Sequence, residues 1–190
     1  MMIIDEHSAV LDTDFLSHIS KINKPIEEIE RLFITVLDEL FIHPFVHPLV
    51  FEHEIPKDNH ALNSFFAKKI VLLPSFEDLL GSSPEKNAYY SFLVSELYKK
   101  LTGHVSLDYQ DVFSFWQVNT SLGEVHCIAL CAVIGCSLFL SDDNGAKKLY
   151  YTLNEYCCTK LNIFNRKDLI EMLRGKTTLT KEERRAFAHV

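Results

Sequence analysis

Short, unbroken apolar runs constrain this chain more than any other feature. AVL (9–11) and SLFL (137–140) are too short for buried helices and too continuous for strands with one wet face. Such runs read as strands covered on both sides, the mark of a parallel sheet. Each ends in a pair of aspartates, Asp12 and Asp14 in AVLDTDFL and Asp142 and Asp143 in SLFLSDDN. KIVLLP (69–74) and CTKLNIF (158–164) are two further strand candidates.

Helical patterns alternate with these runs. After Asn23 and Pro25, the residues Ile26, Ile29, Phe33, Val36, Leu37 and Leu40 recur at helical spacing. HPFVHPLVFEHEIP (43–56) is broken by prolines, with Pro48 able to open a short helix through Glu52 and Glu54. Asp58 is placed to cap HALNSFFAKK, and Ser83-Pro84 opens a long helix to about Leu101 that Gly103 stops. The stretch 104–121 reads as a short helix and loops. GEVHCIALCAVIG is apolar nearly all round, a buried helix ended by Gly135. AKKLYYTLNEY is helical, Asn165 caps NRKDLIEMLRG, and Thr180 with Glu183 forms a capping box for a last short helix. The alternation implies an α/β fold, three-layer α/β/α around a mainly parallel central sheet. One domain over 1–174 is expected, with 175–190 as a C-terminal tail carrying the short helix.

That architecture gathers acids. A helix joining parallel strands starts at the strands' carboxyl edge, where ligands of open α/β sheets bind. Glu124, at the start of the GEVHCIAL helix, is therefore expected at the edge that receives Asp12, Asp142 and Asp143. Clustered carboxylates repel unless protonated or bridged by a cation such as Mg²⁺. Each acid also has a plainer use: Asp12 and Asp14 as helix caps, Glu124 as complement to a helix dipole, the SDDNG pair as turn residues.

The net charge of −7 argues against a nonspecific nucleic-acid binder but leaves room for an acidic centre with a basic rim. The last 31 residues supply such a rim, with eight bases (Lys160, Arg166, Lys167, Arg174, Lys176, Lys181, Arg184, Arg185) against four acids. MMIIDEHSAV lacks the basic flank of a secretory leader, no run approaches a membrane span, and five cysteines are an odd number. A reduced, cytoplasmic setting is expected. Cys127, Cys131 and Cys136 lie in an apolar stretch and are expected to pack, while Cys157 and Cys158 lack zinc-ligand spacing. His43, His47 and His53 with Glu52 and Glu54 suggest zinc, but Pro44 and Pro48 break the helix that would present them.

LDTDFLS and GEVHCIALCAVIGCSLFLSDDNGAKKL resemble the two end motifs of the PIN-domain nucleases. In that family an apolar strand ends in Asp then Thr or Ser, and an acid opens an apolar helix before a Gly, a short strand and a Ser/Thr-x-Asp ending. HPLVFEHEI resembles the family segment carrying a middle acid, pointing to Glu54, with Glu52 and Glu39 as competitors. Asp14 stands where the family often has Asn, and 83–121 is longer than in the small toxin members. The resemblance implies a ribonuclease using Mg²⁺ or Mn²⁺. Asp12, Glu54, Glu124 and Asp143 would be catalytic, the metal being held by Asp12, Glu124 and Asp143 or Asp142. Thr13, Asp14, Ser141 and Lys147 would face substrate. RNA is the implied partner, a homodimer or antitoxin-like protein a further one, and no membrane. Two alternatives remain. Asp12-Thr13-Asp14 also fits the D-x-D of haloacid-dehalogenase-like phosphatases, although Leu16 stands where that family has Thr or Val. A PIN-like module that binds RNA or protein without catalysis is the other.

Overall fold

The computed structural model describes residues 4–103, 112–117, 121–156 and 160–189. Its centre is a four-stranded, all-parallel sheet of β1 (Ser8–Leu11), β2 (His43–Val46), β3 (Leu138–Leu140) and β4 (Asn162–Phe164), in the order β2-β1-β3-β4. β1 is central and buried along its whole length, as its run of small and apolar residues requires. Leu11 stands opposite Leu140, and the Asp12 N–H extends that ladder to the Leu140 carbonyl at 2.9 Å. This register sets Asp12 beside Ser141.

Ten helices accompany the sheet among the described residues: α1 (Thr13–Ser20), α2 (Ile26–Glu39), α3 (Pro48–His53), α4 (His60–Ala67), α5 (Phe76–Leu80), α6 (Pro84–Thr102), α7 (Leu122–Ile134), α8 (Asn144–Leu153), α9 (Arg166–Met172) and α10 (Lys181–Ala188). Several boundaries fall where local chemistry puts them. Ser83 caps α6 through the Lys86 N–H, and Gly103 closes it in the left-handed conformation. Asn165 with Asp168 and Thr180 with Glu183 form reciprocal capping boxes on α9 and α10. α7 is buried from Leu122 to Cys131 apart from Glu124, and packs against α6, α8 and the two central strands. Cys127, Cys131 and Cys136 are free thiols within this core.

Three expectations change. HPFV is a strand despite Pro44. The Pro44 carbonyl and the Val46 N–H both face outward, bonding Leu72 at 3.0 and 3.1 Å, so the missing Pro44 N–H costs β1 nothing on this edge strand. KIVLLP makes only the Phe45–Leu72 bridge. The Ile70 and Val71 N–H groups instead bond the Phe65 carbonyl, closing α4 after the left-handed Lys69. Asn59, not Asp58, caps α4, accepting from the Leu62 N–H at 3.1 Å. Most of the expected helix and loops at 104–121, and the Cys157–Cys158 pair, lie outside the described residues.

The segment after residue 174 packs into the core. Phe187 is fully buried, edge-on to Phe15 at 6.5 Å. Arg166, buried beneath α10, donates to the Phe187 carbonyl at 3.1 Å, and Thr178 donates to Glu39 through its N–H and hydroxyl. Truncating a buried phenylalanine removes its transfer energy and leaves a cavity. Phe187→Ala should therefore cost about 3–5 kcal/mol in urea unfolding while keeping one cooperative transition. A cost below about 1 kcal/mol would mean that α10 is only appended.

Candidate active site

Asp12 ends β1 and caps α1, and the two oxygens of its carboxyl have separate uses. Oδ1 accepts the Thr13 N–H at 2.8 Å, while Oδ2 accepts the Ser141 hydroxyl at 2.7 Å. Capping and membership of an acid cluster are thus compatible in one side chain. Asp12 is only 3% exposed. Burial, with the nearby charges of Glu54 and Asp14, pushes its carboxyl up to about 7 despite the Ser141 bond.

Glu54 is the C-cap of α3 and accepts a short hydrogen bond from the Thr13 hydroxyl. Its carboxylate lies against the first turn of α7: a Cβ on Gly123 would come within 2.5 Å of Glu54 Oε1. Gly123 therefore lets the acid approach the helix start. Burial raises the Glu54 carboxyl, and Asp14 adds to this. The competing acids go elsewhere. Glu52 lines an apolar groove with Val46, Phe51 and Ile55, and Glu39 holds Thr178.

Glu124, in the first turn of α7, lies near Asp12 and near Asp143, the N-cap of α8. Burial and the Asp12 charge push Glu124 up to about 8. Asp143 is fixed from both sides, its N–H donating to Ser141 Oγ at 3.1 Å and its Oδ1 accepting the Gly145 N–H at 2.8 Å. The Cys127 thiol, deep in α7, is raised by burial and by the combined charges of Asp12, Glu54 and Glu124. All three acids therefore lie near this thiol.

Other expected site residues have different employment. Asp142 accepts from Arg166 Nε at 2.5 Å and the Arg166 N–H at 3.1 Å, with His18 Nδ1 at 2.9 Å, and so anchors α1 and α9 rather than joining the cluster. The same pair removes Arg166 from any phosphate-contacting rim. Thr13 and Ser141 are occupied in holding Glu54 and Asp12, positioning roles that only the folded register reveals. Asp14 is exposed and adds charge next to both acids. Lys147 is exposed in a groove with Ile163, Phe164, Asp168 and Glu171.

The three histidines of the zinc pattern diverge. His43 is exposed beside Asp5, and His53 stacks on Trp116. His47 is fully buried and starts a directional relay. Its Nδ1 accepts the Leu49 N–H at 3.1 Å, so its proton sits on Nε2 and goes to the Tyr90 oxygen at 2.8 Å. Tyr90 donates in turn to His126 Nδ1 at 2.6 Å, leaving His126 Nε2–H facing the Phe115 carbonyl at 3.4 Å. Burial holds both imidazoles neutral, His126 down to about 4.

Carboxylate oxygens are the donors that Mg²⁺ and Mn²⁺ favour. Among the described residues, however, no three His, Cys, Asp or Glu side chains are arranged around one point as metal ligands. Asp12 and Glu54 accept hydrogen bonds from hydroxyls. No helix among the described residues is long and apolar enough to cross a membrane. No protein-family model matches the chain, and no curated protein or solved structure matches it either.

The proton affinities carry a stability consequence. The folded chain keeps protons on Asp12 and Glu124 that the unfolded chain releases near pH 4, so their contribution is full at acid pH and falls as pH rises to about 8. The buried histidines act oppositely, but only below about pH 6.5, where unfolded imidazole binds protons. Without divalent cations, the melting temperature should fall from about pH 7 to pH 8.5, and Glu124→Gln should flatten that fall. Superimposable wild-type and Glu124→Gln curves in scanning calorimetry would contradict the assignment.

Proposed function

We propose that this chain is a PIN-like, metal-dependent ribonuclease that hydrolyses RNA phosphodiesters at the carboxyl edge of its sheet, within a three-layer α/β/α arrangement. One observation carries the proposal: Asp12, Glu54 and Glu124 gather at the end of β1, Asp12 and Glu54 both bonded to Thr13 and Glu54 lying against Gly123, and burial with mutual repulsion raises the proton affinity of Asp12 and Glu124. A site that retains protons at this cost is one that a divalent cation would stabilise.

Asp12, Glu54, Glu124 and Asp143 would hold Mg²⁺ or Mn²⁺. When bound, the ion supplies positive charge against the phosphoryl oxygens and acidifies the attacking water. The chain's own residues prepare the site. Ser141 aims one Asp12 oxygen, Thr13 aims Glu54, and Gly123 gives Glu54 room beside α7. Protons held by Asp12 and Glu124 have to leave when a cation takes their place, so cation binding strengthens as pH rises. The cytoplasmic setting and any homodimer belong to this proposal as well.

The lack of a preset three-ligand group among the described residues favours a second reading, a PIN-like module that binds RNA or a protein partner without cutting. Cleavage separates the two. Purified protein with Mn²⁺ should cut single-stranded RNA. Asp12→Asn should lower the rate by at least about a hundredfold with the melting temperature maintained, because Asn keeps a capping oxygen but loses the charge. Wild-type protein that leaves varied RNAs intact would place the chain with the non-catalytic module, and transfer of phosphate onto Asp12 would place it with the phosphatases.

A further inference from the structure

Trp116 is the only tryptophan of the chain, and the two rings stacked on it neighbour the acids in sequence, His53 preceding Glu54 and His126 lying two residues after Glu124. Its indole lies parallel to the His53 imidazole, with centroids 4.9 Å apart and planes 13° from parallel. It is also parallel to His126, at 6.0 Å and 12°. His53 is the residue before Glu54, and its imidazole acts on the Glu54 carboxyl. His53 is exposed and Trp116 half-buried, so the stack runs from the core out to the rim of the site.

The stack is held from beneath. The relay from Leu49 through His47, Tyr90 and His126 ends on the carbonyl of Phe115, the residue before Trp116. His126 is thus fixed in tautomer and ring plane, and the residue carrying the indole is tied to it. Tyr98 packs edge-on to Phe115 at 5.4 Å. Flat rings set in advance bind another flat ring with little ordering cost. Beside a site that handles phosphodiesters, the flat ring tethered to phosphate is a nucleobase.

We infer that His53 and Trp116 form a stacking platform for an unpaired base of the RNA strand whose phosphate meets the carboxylates, an inference that rests on the ribonuclease reading. Stacking of this kind tolerates sequence, because every base has a π-face, and requires single strands, because a base in a duplex cannot splay out. The platform therefore selects strandedness rather than sequence.

The single tryptophan reports the event directly. Wild-type protein is titrated with a short oligoadenylate, and with an abasic ribose-phosphate strand of equal length, in Ca²⁺ to slow cleavage, while Trp116 fluorescence is read. Saturable quenching by oligoadenylate, with little from the abasic strand, is expected. His53→Ala, an exposed substitution, should weaken oligoadenylate about tenfold and leave the abasic strand's affinity unchanged. By anisotropy of a labelled strand, Trp116→Ala should lose base-dependent binding and Trp116→Phe should recover part of it. Absent quenching, or equal binding of the abasic strand, overturns the platform. RNA cleavage with an unchanged KM in His53→Ala would remove the platform and keep the nuclease. Base-dependent quenching without cleavage in any metal would keep the platform and remove the hydrolysis.

Discussion

The structure turns on the burial of one carboxyl group, that of Asp12, at the end of the central strand. A parallel sheet connected through helices delivers strand ends and helix starts to one edge, and here both carry acids. The result is a group of carboxyls taken out of water close to one another, which is unfavourable unless something compensates. The chain compensates locally. Hydroxyls from Ser141 and Thr13 donate to Asp12 and Glu54, and the raised proton affinities of Asp12 and Glu124 limit the charge. A divalent cation would do the same work more completely, which makes the cluster a functional hypothesis rather than a packing accident.

Around that edge the fold uses a buried charge pair for support. Asp142, next to Asp143, is neutralised by the buried Arg166, which also reaches the carbonyl of Phe187 in α10. Adjacent aspartates thus have opposite fates. One anchors the helices behind the sheet, and the other, capping α8, faces Glu124. Asp142 holds the turn while Asp143 keeps its carboxyl in the site.

Elements whose signals are local were legible in the sequence. α6, α9 and α10 carry their own caps, and β1 and β3 are apolar runs that nothing else explains. β2 was not legible, because Pro44 is excluded from a strand unless its absent N–H points away from the neighbour, and that depends on strand order. KIVLLP looked like a strand because the demand of α4's end for the Ile70 and Val71 N–H groups is invisible in composition. In the site, strand-end geometry led to Asp12 and Glu124 and the resemblance pointed to Glu54 over Glu52, while the turn that ends α3 and the room at Gly123 show how Glu54 reaches α7. Thr13 and Ser141 were expected to meet substrate. In the structure each hydroxyl donates one hydrogen bond to an acid, Thr13 to Glu54 and Ser141 to Asp12. The stack of His53, Trp116 and His126 had no sequence signal at all, since its members are brought together only by the packing of α3 and α7 with the residues around Trp116.

The central claim is that protons retained by this cluster give way to a cation. Calorimetric titration of Mn²⁺ near pH 7, repeated in buffers of different ionisation enthalpy, counts the protons released per ion bound. Asp12 near 7 and Glu124 near 8 predict a release of about one proton or more, reduced in Glu124→Gln. Binding without proton release, or no heat of binding at millimolar Mn²⁺, would contradict it.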